Sequence, residues 1–155
     1  MKKTILFLGL FAVLLFGMIL PVSAESVTAG DAVYTVSPMA KSSGDYSVMA
    51  LPQIGVVGSG QTSSYQYSVD SSSTMLNIEL SWVLWPLNNE LSITIIQPDG
   101  TNLGTYHDNY DGNINGVIPL TISSPNSLME GVWKINVNGK QVQGLQPFTL
   151  VINEY

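Results

Sequence analysis

Between Leu76 and Trp85 apolar side chains recur at every second position: Leu76, Ile78, Leu80, Trp82 and Leu84 alternate with Asn77, Glu79, Ser81, Val83 and Trp85. A period of two belongs to a β-strand, whose successive side chains point to opposite faces, and does not fit the 3.6-residue period of a helix. One face of such a strand must be covered by a second layer. Leu91, Ile93 and Ile95 repeat the pattern beside Ser92 and Thr94. Gln97-Pro98-Asp99-Gly100 then predicts a turn, since proline presets one φ and glycine accepts the conformation that closes it. Leu103 to Tyr106 leads back as a short strand. Gly116 to Ile122, Val132 to Val137, Phe148 to Ile152 and the Tyr65, Tyr67, Val69 run complete a set of seven. Ser71-Ser72-Ser73, Ser123-Ser124-Pro125-Asn126 and Asn138-Gly139-Lys140 read as the breaks between them. With no amphipathic helix among these runs, the pattern predicts an all-β fold, an antiparallel β-sandwich over 55–155, with Trp82 and Trp133 filling its interior.

The N-terminal segment obeys a different rule. Lys2 and Lys3 precede an apolar run from Ile5 to Leu20, Pro21 interrupts it, and Val22-Ser23-Ala24 supplies small side chains, so residues 1–24 read as a secretory signal cleaved before Glu25. The expected localisation is therefore secreted or cell-surface. The run is also short of the ~20 residues a bilayer span needs, so no stable membrane span is expected after cleavage. Residues 25–54 carry weaker signals. Ala32 to Val36 and Tyr46 to Leu51 have strand character, but Ser37-Pro38 and Lys41-Ser42-Ser43-Gly44-Asp45 interrupt them. The span reads as a leader or linker, in part disordered or holding a strand for exchange.

Charge narrows the partners. Beyond residue 24 three lysines face eleven acidic residues, a balance of −8, and the chain has no arginine. Nucleic acid and anionic lipid are bound by lysine and arginine displacing counterions, and this chain lacks that patch. It also lacks cysteine, so no disulfide framework supports the fold.

The order LNIELSWVLWPLNNELSITIIQPDGTNLG, then an Asp/Gly-rich loop, then GVWKINVNGKQVQGLQPFTLVI resembles the pre-peptidase C-terminal (PPC) domain type. That resemblance covers roughly 55–155, through Pro98-Asp99-Gly100 after an alternating strand and Gly131-Val132-Trp133 opening a late one. It implies a jelly-roll-like sandwich that serves exported proteins without catalysing a reaction, and in some relatives binds calcium. This chain departs from the acidic version of the segment at Asn88-Asn89-Glu90-Leu91-Ser92, where only Glu90 is a carboxylate.

Reactive chemistry has few places to reside. His107 is the only histidine, no Gly-x-Ser-x-Gly elbow occurs, and Gly58-Ser59-Gly60 lacks its spacing, so no catalytic residue is assigned and an enzyme is not expected. The stretch HDNYDGNING, His107 to Gly116, gathers oxygen donors at Asp108, Asn109, Asp111 and Asn113, which with Glu90 form a candidate Ca2+ site. Its spacing fails the EF-hand test, because positions six and twelve from Asn109 are Ile114 and Leu120 rather than glycine and glutamate. The preferred reading is a turn in which Asp and Asn bond their own backbone. Trp85, Tyr106 and Tyr110 form a candidate aromatic platform for a ligand, since sugar rings stack on such faces. Two function classes follow. One is a non-catalytic module that binds a surface polysaccharide or another exported protein. The other is a self-assembling subunit in which Asp31 to Val36 adds as a strand to a neighbour.

Overall fold

A computed structural model describes residues 24–29, 32–39 and 51–155. Ten strands follow one another in the described chain: β1 (Glu25–Ala29), β2 (Ala32–Pro38), β3 (Gln53–Gly58), β4 (Thr62–Val69), β5 (Met75–Trp82), β6 (Glu90–Ile96), β7 (Asn102–His107), β8 (Val117–Ser123), β9 (Gly131–Gln141) and β10 (Leu145–Glu154). They form a six-stranded sheet in the order β1-β2-β8-β5-β10-β3 and a four-stranded sheet in the order β4-β9-β6-β7. Every pairing between neighbours is antiparallel. The two sheets are layers of one β-sandwich, as the alternation predicts.

The pairings are nested. β6 pairs with β7, β5 with β8, β4 with β9 and β3 with β10, so the half of the chain from β3 to β6 returns antiparallel upon itself as β7 to β10. A long hairpin folded over into two sheets is a jelly roll. The bend lies at Gln97–Gly100, where the Gly100 N–H donates to the Gln97 carbonyl at 2.9 Å and the Asp99 carboxylate accepts the Thr101 N–H at 2.8 Å. Gly100 has φ of 88°, the left-handed conformation the turn requires.

The interior is built from alternate residues of both layers. Leu76, Ile78, Leu80 and Trp82 of β5 face Leu91, Ile93 and Ile95 of β6 and Trp133, Ile135 and Val137 of β9, all buried. The indole N–H of Trp82 donates to the Asn89 carbonyl at 2.9 Å and that of Trp133 to the Met129 carbonyl at 2.8 Å, so neither large ring strands its polar atom.

Four boundaries differ from the sequence reading. Residues 25–29 and 32–38, within the span read as a leader or linker with strand character at Ala32 to Val36, are strands of the larger sheet, and 53–54 open β3. Tyr34 and Val36 of β2 are fully buried, and the Tyr34 ring meets Trp133 edge-on at 6.2 Å, so apolar packing outweighs the breaks on either side. β2 is paired on both sides within its own chain, by β1 and β8. The strand-like stretch Tyr46 to Leu51 lies outside the described residues except for Leu51, as do Asp31 and 1–23 of the proposed signal. The strand from Leu76 ends at Trp82 rather than running to Trp85, and Pro86 offers no N–H with which to continue. Asn138-Gly139-Lys140, read as a turn, lies inside β9, where Gly139 pairs with Leu91 and a Cβ would overlap the Gly58 carbonyl.

Candidate functional site

The stretch His107 to Gly116 folds around one carboxylate. Asp108 opens a short 3-10 helix, Asp108–Asp111, that ends at Gly112 with φ of 84°. Asp108 is buried, and its carboxylate accepts the backbone N–H groups of Asn115, Gly116 and Val117 at 3.0–3.2 Å. Gly116 makes this possible: its φ is 78°, and a Cβ there would stand 2.5 Å from the Trp82 carbonyl oxygen. Asp111 accepts the Asn113 N–H at 2.9 Å, and the Asn115 side chain accepts the Val117 N–H at 3.0 Å. These oxygens serve the loop's own backbone, as the turn reading expects. A cation at Asp108 would compete with three backbone donors, and among the described residues no three His, Asp or Glu side chains converge on a point.

Only part of the proposed calcium set is brought together. Glu90, Asp108 and Asn109 line one cleft of about 500 Å³, with Leu84, Asn88, Asn89, His107, Ile114 and Lys140. Asp111 and Asn113 bond each other away from its lining. In the cleft the Glu90 carboxylate lies 3.7 Å from the Lys140 ammonium and 3.8 Å from His107 Nδ1. Nδ1 is itself out of contact with solvent and makes no hydrogen bond. Burial, and then the Lys140 charge, hold the His107 pKa below its ordinary 6.5, with Glu90 pulling the other way. His107 is thus neutral at pH 7, and the Lys140 charge is offset by Glu90.

Asn89 positions this side of the cleft, and sequence reading passed it over. It is buried, donates to the Gln146 side chain at 2.8 Å, accepts the Gln143 N–H at 2.8 Å, and gives its carbonyl to Trp82. The signal for it is Trp82 itself, because a buried indole N–H needs an acceptor. The preceding loop is held by the Asn88 N–H donating to the Leu84 carbonyl at 2.7 Å, with Asn88 at φ of 50°.

The aromatic platform separates into unlike parts. Trp85, on the loop that supplies Leu84 and Asn88 to the cleft, is 79% exposed. Tyr106 is 3% exposed, and its hydroxyl donates to the Leu103 carbonyl at 2.9 Å. Tyr110 is half-buried, meets Tyr106 edge-on at 4.8 Å, and donates to the Val36 carbonyl at 2.9 Å. Burial raises both phenol pKa values. Tyr110 ties the 107–116 stretch to β2, and Tyr106 packs against it from the interior.

The cleft opens onto the outer face of the four-stranded sheet, where two rows of uncharged polar side chains cross the strands. Register places Thr62, Asn138, Ser92 and His107 in one row and Ser64, Asn136, Thr94 and Thr105 in the next. Thr62 donates to Asn138 at 2.9 Å, Ser64 to Asn136 at 2.7 Å, and Asn138 to Thr94 at 3.1 Å, while the Thr94 and Thr105 hydroxyls share a bond of 2.8 Å. His107 belongs to both features, ending the first row and lining the cleft.

No family model matches the chain, and no curated protein matches it. Among solved structures it is similar to a chain in the structure of infectious bursal disease virus Gx strain, at 12% identity over 81% of this chain and 38% of that one, with a TM-score of 0.29. It is also similar to a chain in the 2.6 Å structure of infectious bursal virus derived T=1 particles, at 17% identity over 83% of this chain and 44% of that one, with a TM-score of 0.15. The chain spans less than half the length of either. Among the described residues no helix is long and apolar enough to cross a membrane.

Proposed function

We propose that this protein is an exported, non-catalytic β-sandwich module that binds a neutral polysaccharide at the cleft between the Val83–Asn89 loop and His107. The observation that carries this reading is the composition of the cleft. Asn88, Asn109, Glu90, His107 and Lys140 offer donors and acceptors whose charges offset one another, and the loop that supplies Leu84 and Asn88 also carries the exposed Trp85. A neutral sugar presents the matching chemistry, hydroxyls for the polar groups and a C–H face for the indole. The Ser/Thr/Asn rows continue the same neutral character away from His107, which favours a chain of sugars over a single ring. Anionic glycans meet a protein of net charge −6 and no basic patch.

Titration with soluble neutral glucans, mannans and xylans, followed by calorimetry, tests the proposal. At least one is expected to bind, about tenfold more weakly to Trp85→Ala and to Glu90→Ala, a loss of about 1.4 kcal/mol each. Failure of all three polymers, or affinity unchanged in both variants, overturns it.

A further inference from the structure

The sequence holds two Asn-Gly pairs, Asn115-Gly116 and Asn138-Gly139. Such a pair carries its own reaction: the glycine nitrogen can close on the side-chain amide carbon of the asparagine, since no Cβ stands in the way. An amide nitrogen is a poor nucleophile until a base takes its proton and the carbonyl it attacks is polarised. The fold treats the two pairs differently on both counts.

At Asn138-Gly139 neither condition is met. Both residues lie within β9, and the Gly139 N–H donates to the Gln61 carbonyl at 3.0 Å, an acceptor that is no base. The Asn138 side chain is drawn across the sheet instead, accepting the Thr62 hydroxyl at 2.9 Å and donating to Thr94 at 3.1 Å. At Asn115-Gly116 both conditions are met. Each oxygen of the buried Asp108 carboxylate lies 3.0 Å from the Gly116 nitrogen. The Val117 N–H donates to the Asn115 side-chain oxygen at 3.0 Å, closing a ring that contains both the Asn115 amide carbon and the Gly116 nitrogen. Asn115 itself is exposed, so water reaches it.

We propose that Asn115 is a site of self-modification, converted through a cyclic imide to aspartate and isoaspartate with Asp108 as the base. The Gly116 nitrogen gives its proton to Asp108 and bonds to the Asn115 amide carbon, while the Val117 N–H holds the oxygen on which charge develops. The side-chain nitrogen leaves as ammonia, taking the proton that Asp108 returns. Water then adds to one of the two imide carbonyls and the ring opens, its nitrogen recovering a proton from that water. Opening at the side-chain carbonyl gives aspartate, and opening at the backbone carbonyl gives isoaspartate. Either product adds a negative charge. Aspartate keeps an oxygen for the Val117 N–H, whereas isoaspartate lengthens the backbone by a methylene and displaces Gly116 from Asp108.

Incubation of the whole protein at neutral pH, folded or in concentrated guanidinium chloride, followed by peptide mapping in a mass spectrometer, tests the proposal. Conversion at Asn115 should be at least about tenfold faster in the folded protein than in the unfolded chain, within what a positioned base supplies. Conversion at Asn138 should be slower in the folded protein than in the unfolded chain. Hydroxylamine, which opens an imide, should cleave the native protein between Asn115 and Gly116 and leave Asn138-Gly139 intact. Asp108→Asn keeps the shape of the side chain without the base, and in the variant shown by circular dichroism to be folded the Asn115 rate should fall to that of the unfolded chain or below. Slower conversion at Asn115 in the folded than in the unfolded chain, equal conversion or cleavage at the two pairs in the native protein, or an undiminished rate in folded Asp108→Asn overturns the proposal. The first two comparisons use the unsubstituted chain and decide the matter even where the variant fails to fold. None of these readouts involves glycan, so they leave the binding proposal standing or falling by itself.

Discussion

The two outer faces of the sandwich are made by the same rule and end in opposite chemistry. On both, each strand turns one residue in two away from a shared interior. On the four-stranded sheet the two rows beside the cleft are serine, threonine and asparagine, bonded to one another across strands. On the β3–β10 end of the six-stranded sheet Ile54, Val56 and Leu145 stand exposed. Side chains that face inward are dictated by packing, whereas those that face outward are free to be chosen for what meets them. The contrast teaches that the fold resides in one half of each strand's residues and interaction in the other.

The sharpest way to break that division is to attack the interior both faces share. Trp133→Ala should cost about 4 kcal/mol, read from urea denaturation, because it empties a fully buried indole site against Tyr34. A loss below about 1 kcal/mol would mean the ring is not part of the common core. Asp108→Ala should follow at about 3 kcal/mol, since it strands three backbone N–H groups that a buried carboxylate now accepts. Calcium added to chelator-treated protein should leave the melting temperature unchanged. A rise that disappears in Asp111→Ala would restore the cation reading of this loop.

Outward changes should be milder for stability. Replacing Thr94 and Thr105 together by valine removes a cross-strand hydroxyl pair and should cost less than about 1 kcal/mol in melting experiments, while weakening long neutral glycans more than short ones. The smallest effect concerns His107. Its folded pKa lies below the unfolded value of 6.5, so the unfolded chain takes up a proton first as pH falls. Stability from this group is full above 6.5, declines as pH drops through the depressed folded pKa, and is constant below it. His107→Asn should flatten that stretch of the stability curve relative to the natural protein, measured as urea midpoint against pH.

The sandwich was legible from Leu76–Trp82 and Leu91–Ile95 because their alternation is local, and each residue's face is set by its neighbours two positions away. The place of β1 and β2 in the sandwich was not, because what holds Tyr34 is Trp133, about a hundred residues onward, and the intervening Gly-Asp and Ser-Pro breaks speak only of turns. The same reason misplaced Tyr110, whose hydroxyl finds the Val36 carbonyl 74 positions away. Of the candidate site, Glu90 and Asp108 could be named from their residue types. Their meeting with Lys140 at one cleft depends on β6 lying beside β9, a pairing no short window of sequence contains.

The nesting of the strands also sets an order of assembly. Closing β6 on β7 needs only the short bend at Gln97–Gly100, whereas β3 reaches β10 across residues 58 to 145, so loop-closure entropy rises with each pairing outward. A chain delivered N-terminus first therefore holds β3 and β5 without their common neighbour until Leu145–Glu154 has emerged. Vectorial synthesis or transport must pass Leu145–Glu154 before this sandwich can close.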